Sequence, residues 1–532
     1  MEKAKYLFVL VLTFFQVVAS AQNERLDTVK NVIILIPDGA NSGLLALSRW
    51  YNGNKPLAVD PLICGGVKTH NADGKLPDSA PAATAYAAGM KTKSSYIGVD
   101  SNLNPRISVL ELAKLKGLST GVVVTCEFPH ATPAGFVCHY NSRESKNYKN
   151  LIKQFIYNSP TLVFAGGKKY LDSSNFQSLL KPNGIDLVTD KSSFEQLNDL
   201  PQSKKSLWAL FSDWQDSTNC KSYECDRDTA KEPSLSEMTN KAIQLLSQNE
   251  KGFFLLVEGS QIDWAAHNND PYAAVTDFLE FDKAVALALD FAKKDKNTVV
   301  IVCPDHGSGG ISLGSSEETV FSAVSKTKID DIDIKKDIVE PLKQIKWSAR
   351  KLAEMMLTDC TYTSKDSIAK YYNFHAADSF VNMLEILAED AENADSIQYL
   401  LGRNFSIQNH IGWTTTKHTG EDVFLAIYAP EGIKKKTGII DNSDIGKYMA
   451  EILNLADFDI ISNQYFYKHT DLFDDAVVDS ESLTVEKNGK RITVYPNTSI
   501  LQYNGTVMLS MNSIAIYING YYYLPLSVLR FF

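Results

Sequence analysis

Four short runs of this chain are apolar without polar alternation, at residues 32–36, 121–125, 253–257 and 298–303. Apolar, β-branched-rich runs with no polar face predict strands covered on both sides. Between them, apolar positions recur at helical spacing in residues 108–116, 236–247 and 272–293. Strands alternating with helices predict an α/β fold, a largely parallel central sheet with helices on both faces. Residues from about 326 to 409 are charged and helix-prone, with apolar spacing in 347–357 and 377–388, which predicts a helical insertion packed on the core. Beyond about Asp475 the texture changes to short β-type runs at 483–487, 514–518 and 521–528. Asn488-Gly489 and Asn519-Gly520 follow the first two, and Asn-Gly between such runs signals hairpins. A small all-β segment, 476–532, is expected after a main domain of 22–475, and it carries no catalytic cluster.

The N-terminus departs from this pattern. Lys3 and Lys5 precede an apolar run at 6–18 and then Ala19-Ser20-Ala21. That is the layout of a cleaved signal peptide, residues 1–21. The run is short for a membrane span, and no later stretch reads as one, so a periplasmic or extracellular protein is expected. The 532 residues are 44% hydrophobic and 22% charged, with a net charge of -10. This balance gives a globular core and argues against a nucleic-acid-binding surface. An acidic chain that handles an anion must concentrate positive charge locally, and bound metal ions do so. Of the seven cysteines, Cys220 and Cys225 are spaced to pair in a polar loop, while Cys64 and Cys303 sit among apolar residues and are expected as buried thiols. No CxxC motif or Cys/His cluster suggests a structural zinc site.

The chemistry gathers where the strands end. The runs lead into Pro37-Asp38-Gly39, His130-Ala131-Thr132-Pro133, Glu258-Gly259 and Pro304-Asp305-His306-Gly307. Open α/β sheets bind ligands beyond the carboxyl ends of their strands. A single carboxylate there is as readily a cap or turn former; several at equivalent positions point to a site. In Glu258-x4-Asp263-x3-His267, Asp263 and His267 share a helix face. Nitrogen and oxygen donors suit catalytic Zn²⁺, and all-oxygen sets suit Mg²⁺. His70, His139, His375 and His410 stand alone and read as ordinary core or surface residues. Asp78-Ser79-Ala80-Pro81 puts Ser79 at a helix start, where free N–H groups suit a phosphate. By itself Ser79 reads as an N-cap, and as a nucleophile it needs a base or a metal.

In this order and local spacing, from about Asn31 to Tyr428, the chain resembles the alkaline phosphatases. Asp38 matches the family's first-strand aspartate and Ser79 its phosphorylated serine. Ala131-Thr132-Pro133 matches its Ala-Thr-Pro turn, and Arg143, eleven residues beyond Thr132, matches its phosphate-binding arginine. Glu258, Asp263, His267, Asp305, His306 and His418 match its remaining metal ligands. The resemblance implies one Zn²⁺ on Asp263, His267 and His418, a second on Asp38, Asp305 and His306, and Mg²⁺ between Asp38, Thr132 and Glu258. It implies hydrolysis of small phosphomonoesters through a phosphoserine on Ser79, with Arg143 gripping the phosphate, and a possible homodimer. Pro81 departs from the family's usual small residue. His130 and Trp264, beside the phosphate, stand where well-known bacterial members have Asp and Lys, which implies easier product release. Related readings are a phosphodiesterase, a sulfatase and a non-catalytic binding protein. Ser79-Ala80-Pro81-Ala82-Ala83 lacks the arginine a sulfatase needs. Thr132, Glu258 and Arg143 favour a monoester over a diester, and the full ligand set speaks against loss of catalysis.

Overall fold

The structure is a computed structural model that describes residues 28–172, 175–200, 206–211, 221–315 and 332–532. The expected leader, Cys220 of the expected pairing, and the start of the insertion near Lys326 lie outside them. The main sheet has ten strands: β1 (Asn31–Pro37), β2 (Ile63–Lys68), β3 (Ser119–Glu127), β4 (Leu162–Gly166), β5 (Ile185–Val188), β6 (Ser206–Leu210), β7 (Phe253–Gly259), β8 (Thr298–Val302), β9 (Val423–Tyr428) and β10 (Gly438–Asp441). Their order is β10-β2-β9-β8-β1-β7-β3-β4-β6-β5, and every pairing is parallel except the two made by β9. The four apolar runs form its adjacent centre, β8-β1-β7-β3. Alternation along β1 shows why they lack a polar face: Ile33 and Leu35 enter one core cluster, while Val32, Ile34 and Ile36 enter the other.

The helices that bear on the site are α1 (Ser79–Ala88), α2 (Val109–Lys116), α3 (Ala131–Val137), α4 (Tyr148–Tyr157), α5 (Leu235–Leu246), α6 (Gln261–His267), α7 (Pro271–Asp295), α8 (Ala349–Thr358) and α9 (Ala394–Gln408). Capping boxes start α2, at Ser108 with Glu111, and α5, at Ser234 with Glu237, so side-chain oxygens satisfy two backbone N–H donors at each start. All ten residues of α1 are buried, and α3 crosses it closely. A Cβ on Gly135 of α3 would lie 2.8 Å from the Ala83 Cβ, so only glycine fits that crossing. Residues 332–409, the described part of the expected insertion, are largely helical, as their spacing predicts. Leu352, Ala353 and Met356 of α8 and Leu401 and Phe405 of α9 share the core cluster of Phe278 and Phe281 on α7.

A separate seven-stranded antiparallel sheet closes the chain: β11 (Tyr467–Lys468), β12 (Val477–Val478), β13 (Leu483–Lys487), β14 (Lys490–Val494), β15 (Thr498–Tyr503), β16 (Val507–Ile518) and β17 (Tyr521–Leu524). It begins at Tyr467, ahead of the expected Asp475, because β11 pairs with β17. The last expected strand is shorter than 521–528. It stops at Leu524, and Pro525, which has no N–H for a ladder, leads into a 3-10 helix at Leu526–Phe531. Cys303 is buried as expected, its sulfur 3.0 Å from the Tyr86 hydroxyl. Cys64 is only half-buried, because β2 lies next to the edge strand β10. Among the described residues, no helix is long and apolar enough to cross a membrane.

Candidate active site

The carboxyl ends of β1, β3, β7 and the segment after β8 converge as the sequence predicts. Asp38 follows β1, Glu258 is the penultimate residue of β7, and Asp305 and His306 follow β8. A short antiparallel pairing of His418–Thr419 with Gly307–Ser308 brings His418 to the same place from far along the chain. Gly39, at φ +71°, makes the tight turn after Asp38; a Cβ there would lie 2.6 Å from Asp263 Oδ1 and 2.9 Å from Asp263 Cα. The close approach of β1 to α6 therefore requires glycine.

Two donor groups form as expected, Asp38–Asp305–His306 and Asp263–His267–His418, and within each the ligand atoms lie within 4.8 Å of one another. His306 Nε2 is 3.2 Å from Asp305 Oδ2 and 3.6 Å from Asp38 Oδ1. His267 Nε2 is 3.2 Å from Asp263 Oδ2, and His418 Nε2 is 3.8 Å from Asp263 Oδ1. The outer ring nitrogens face carbonyls: His267 Nδ1 lies 2.6 Å from the Thr416 oxygen and His418 Nδ1 2.9 Å from that of Pro77. Donation to those carbonyls puts the proton on Nδ1 and leaves each Nε2 lone pair facing the cluster. A third group contains Glu258 with Cys126 and His130. Glu258, expected in an all-oxygen set with Asp38 and Thr132, has sulfur and nitrogen donors beside it instead. The sequence reading missed Cys126; its spacing to His130, Cys-x3-His running off the end of β3, was the available signal.

The electrostatics call for cations. Both oxygens of Asp38, Oδ1 of Asp263 and Oδ2 of Asp305 are buried without a hydrogen-bond partner. Burial, and then the charges of Asp305, Asp263 and Glu258, push Asp38 well above the usual carboxylate range. Burial pushes Glu258 up to about 7 against hydrogen bonds from Ser260 and Thr132. Burial also raises Asp263, but His267, His418 and His306 outweigh it and hold that carboxyl well below its usual value. Buried like charges at this density cost several kcal/mol each unless cations compensate them. The bare oxygens and directed imidazoles fit divalent metal ions.

Ser79 is the first residue of α1, buried, with Oγ 3.2 Å from His306 Nε2. Arg143 reaches it from the loop between α3 and α4: Nη1 is 3.4 Å from Ser79 Oγ and also bonds Asp78, while Nη2 lies 3.0 Å from His130 Nε2. Asp78, read in the sequence only as part of the serine motif, is thus the partner that orients the arginine. Trp264 meets the His130 ring edge-on at 5.7 Å. Of the histidines set aside, His139 is satisfied in the core, Nδ1 lying 2.7 Å from the Gly98 oxygen and Nε2 3.1 Å from Glu111 Oε1. His410 Nδ1 lies 3.0 Å from the Ser315 oxygen. Beside the cluster lies a cavity of about 1620 Å³, lined by Trp264 and His267 of α6, Met355 of α8 and Tyr399 of α9 among others.

Residues 29–455 match the family model for alkaline phosphatase. The chain belongs to the alkaline phosphatase family. It is 34% identical over 452 residues to alkaline phosphatase 4 of Bacillus subtilis (strain 168), a match covering 82% of this chain and 91% of that protein. It is 28% identical to the repressible alkaline phosphatase of Saccharomyces cerevisiae, over 85% of this chain and 86% of that one. Among solved structures, a cold-active alkaline phosphatase from Shewanella sp. aligns with a TM-score of 0.68 at 29% identity, covering 80% of this chain and 99% of that one. The Thermus thermophilus alkaline phosphatase shares the fold at the same TM-score of 0.68, with 21% identity over 81% of this chain and 92% of its own. As a family member the chain is a phosphatase, a hydrolase with metal-binding groups. The family match stops short of the sheet β11–β17.

Proposed function

We propose that the chain hydrolyses phosphate monoesters through a phosphoserine on Ser79. The observation that carries this reading is the position of Ser79 Oγ, between the donor group of His306 and the guanidinium of Arg143. A terminal phosphate would sit at the N-terminus of α1, where free N–H groups and the helix dipole favour an anion. Arg143 would bind two non-bridging oxygens with its planar fork. Ser79 Oγ then attacks phosphorus, the ester P–O bond breaks, and the alcohol leaves with a proton. Water attacks the phosphoserine in turn, releasing inorganic phosphate and restoring the serine.

One Zn²⁺ would be held by Asp263, His267 and His418, a second by Asp38, Asp305 and His306, and Mg²⁺ by Glu258 with Asp38 and Thr132, beside Cys126 and His130. When bound, such ions neutralise the buried carboxylates, lower the pKa of an alcohol or water and offset charge on the transferring phosphoryl group. The leaving group would extend past His267 into the cavity beside the insertion. The cavity exceeds the roughly 300–1,000 Å³ that suffices for a drug-sized ligand, so it admits bulky esters as well as small ones.

The test is release of a chromogenic alcohol from its phosphomonoester at alkaline pH, with acid-quenched enzyme examined for phosphoserine by mass spectrometry. Ser79→Ala removes the label and lowers kcat at least ~10³-fold, and EDTA abolishes turnover. Full activity in Ser79→Ala, or a phosphate found on another residue, refutes the mechanism.

A further inference from the structure

The sheet β11–β17 lies outside the family match, yet it meets the main domain at the two segments that frame Ser79 and Arg143. The first runs from Ser95 to Val99. The Ser95 N–H donates to Asp78 Oδ2 at 3.0 Å, and Ile97 pairs with Tyr140 through hydrogen bonds of 3.0 and 2.8 Å. The second is the stretch from Cys138 to Arg143, which carries the arginine itself. Ile514, Ile516 and Ile518 of β16 and Tyr523 of β17 form one apolar cluster with Val99, against which Tyr96, Leu103 and Tyr157 pack.

Polar contacts bind the same sheet to the arginine-bearing stretch. Buried Gln154 of α4 accepts from the His139 N–H at 2.8 Å and donates to the His139 carbonyl at 2.9 Å. Its Nε2 also donates to Asn497 Oδ1 at 2.9 Å, and Asn497 Nδ2 donates to Asn150 Oδ1 at 3.2 Å. Asn497 is 2% exposed and precedes β15. At the tip of the β16–β17 hairpin, Asn519 Oδ1 accepts from Asn141 Nδ2 at 3.0 Å, two residues before Arg143.

We infer that Asn497 and Asn519 are positioning residues through which the C-terminal sheet fixes the loop that presents Arg143 to the phosphate. This rests on the reading of Arg143 as the phosphate clamp. The sheet contributes no group to the chemistry; it narrows the range of positions open to the guanidinium. Loosening the loop weakens a contact made to substrate, product phosphate and transition state alike, which appears in KM and in product inhibition before it appears in kcat.

Both residues have positive φ, 60° for Asn497 and 50° for Asn519. Replacing each by glycine therefore removes the amide while keeping the backbone turn. The experiment measures kcat, KM and the inhibition constant of inorganic phosphate in the full-length, metal-loaded enzyme and in Asn497→Gly/Asn519→Gly. KM and the phosphate inhibition constant rise together by about 5-fold with kcat within about 2-fold. Val485→Ala, within the sheet's own core cluster, serves as the structural control; it lowers Tm and leaves phosphate inhibition unchanged. If the double variant lowers Tm without moving KM or phosphate inhibition, the sheet merely stabilises and the inference is wrong. Should the double variant fail to fold, Asn519→Gly alone, at an exposed turn, decides by the same two constants. Arg143→Ala separates the two levels: if it leaves phosphate inhibition unchanged, the clamp reading fails rather than the bracing.

Discussion

At the scale of single residues, the proposed mechanism makes position 264 the one expected to set how firmly product is held. Arg143 is the guanidinium in contact with Ser79, and it is shared with Asp78 and His130. Trp264 offers an indole against His130 where well-known bacterial relatives carry a lysine. Placing an ammonium there adds one partly screened charge to a doubly charged product. Trp264→Lys therefore tightens inhibition by inorganic phosphate about tenfold, the ~1.4 kcal/mol that one such contact supplies. Steady-state inhibition constants at fixed ionic strength check this, and an unchanged constant sinks it. The same scale shows what sequence alone conveys. Asp38, Asp305, His306 and His418 were legible because each lies in a short motif at a strand end or turn. The Asp78–Arg143 pair spans 65 residues, and Cys126 looks like any strand cysteine until β7 brings Glu258 to within 3.5 Å of its sulfur.

Among the elements, legibility followed burial. The four central strands could be read because both faces pack on core. Strands β2, β5 and β10 sit at or next to the sheet edges, with exposed or half-exposed residues; β4 and β6 are as short and as buried as β8, but they hold one β-branched residue between them, so their runs do not separate from buried helix. Helix α2 shows a further element-level device, since its Glu111 bonds the buried ring of His139. Burial lowers the His139 pKa, but the Glu111 charge and hydrogen bond raise it more, so the net direction is up. Burial raises Glu111, and His139 with the Ser108 N–H and Asn158 pulls it below its usual value. A raised His contributes stability below its unfolded pKa of ~6.5 and loses it as pH rises through the folded value. A lowered Glu contributes above ~4.3 and loses it as pH falls. The charged pair is therefore fully effective between about pH 4.5 and 6.5. Thermal melts of the wild type and His139→Gln show their largest Tm gap in that window, narrowing toward pH 9. A gap independent of pH removes the charged-pair account.

For the whole molecule, the metal groups act as cross-links between distant parts of one chain. Asp38 follows β1, Asp263 and His267 lie on α6, Asp305 and His306 follow β8, and His418 arrives after the insertion. With the cations present these segments attract a common centre; without them, carboxylate oxygens that have no hydrogen-bond partner face one another in the core. Ions that bind the folded state and not the unfolded one stabilise by RT ln(1 + [L]/Kd), ~4 kcal/mol at a thousandfold excess over Kd for each site. Stripping with EDTA therefore lowers Tm by well over ten degrees, and adding back Zn²⁺ and Mg²⁺ restores it. Elemental analysis of the reloaded protein gives three ions per chain. Asp263→Ala removes one ion and part of the Tm gain, because His267 and His418 lose the carboxylate between them. Cys126→Ser leaves the groups of Asp38 and of Asp263 filled and alters occupancy only of the group around Glu258. If the stripped and loaded proteins melt together, the groups bind ions without closing the fold, and metal dependence is confined to the chemistry. The family match ends before β11–β17, whose own core cluster contains no member of the metal groups. That sheet accordingly keeps its cooperative transition in the stripped protein, and calorimetry then shows two unfolding events where the loaded enzyme shows one.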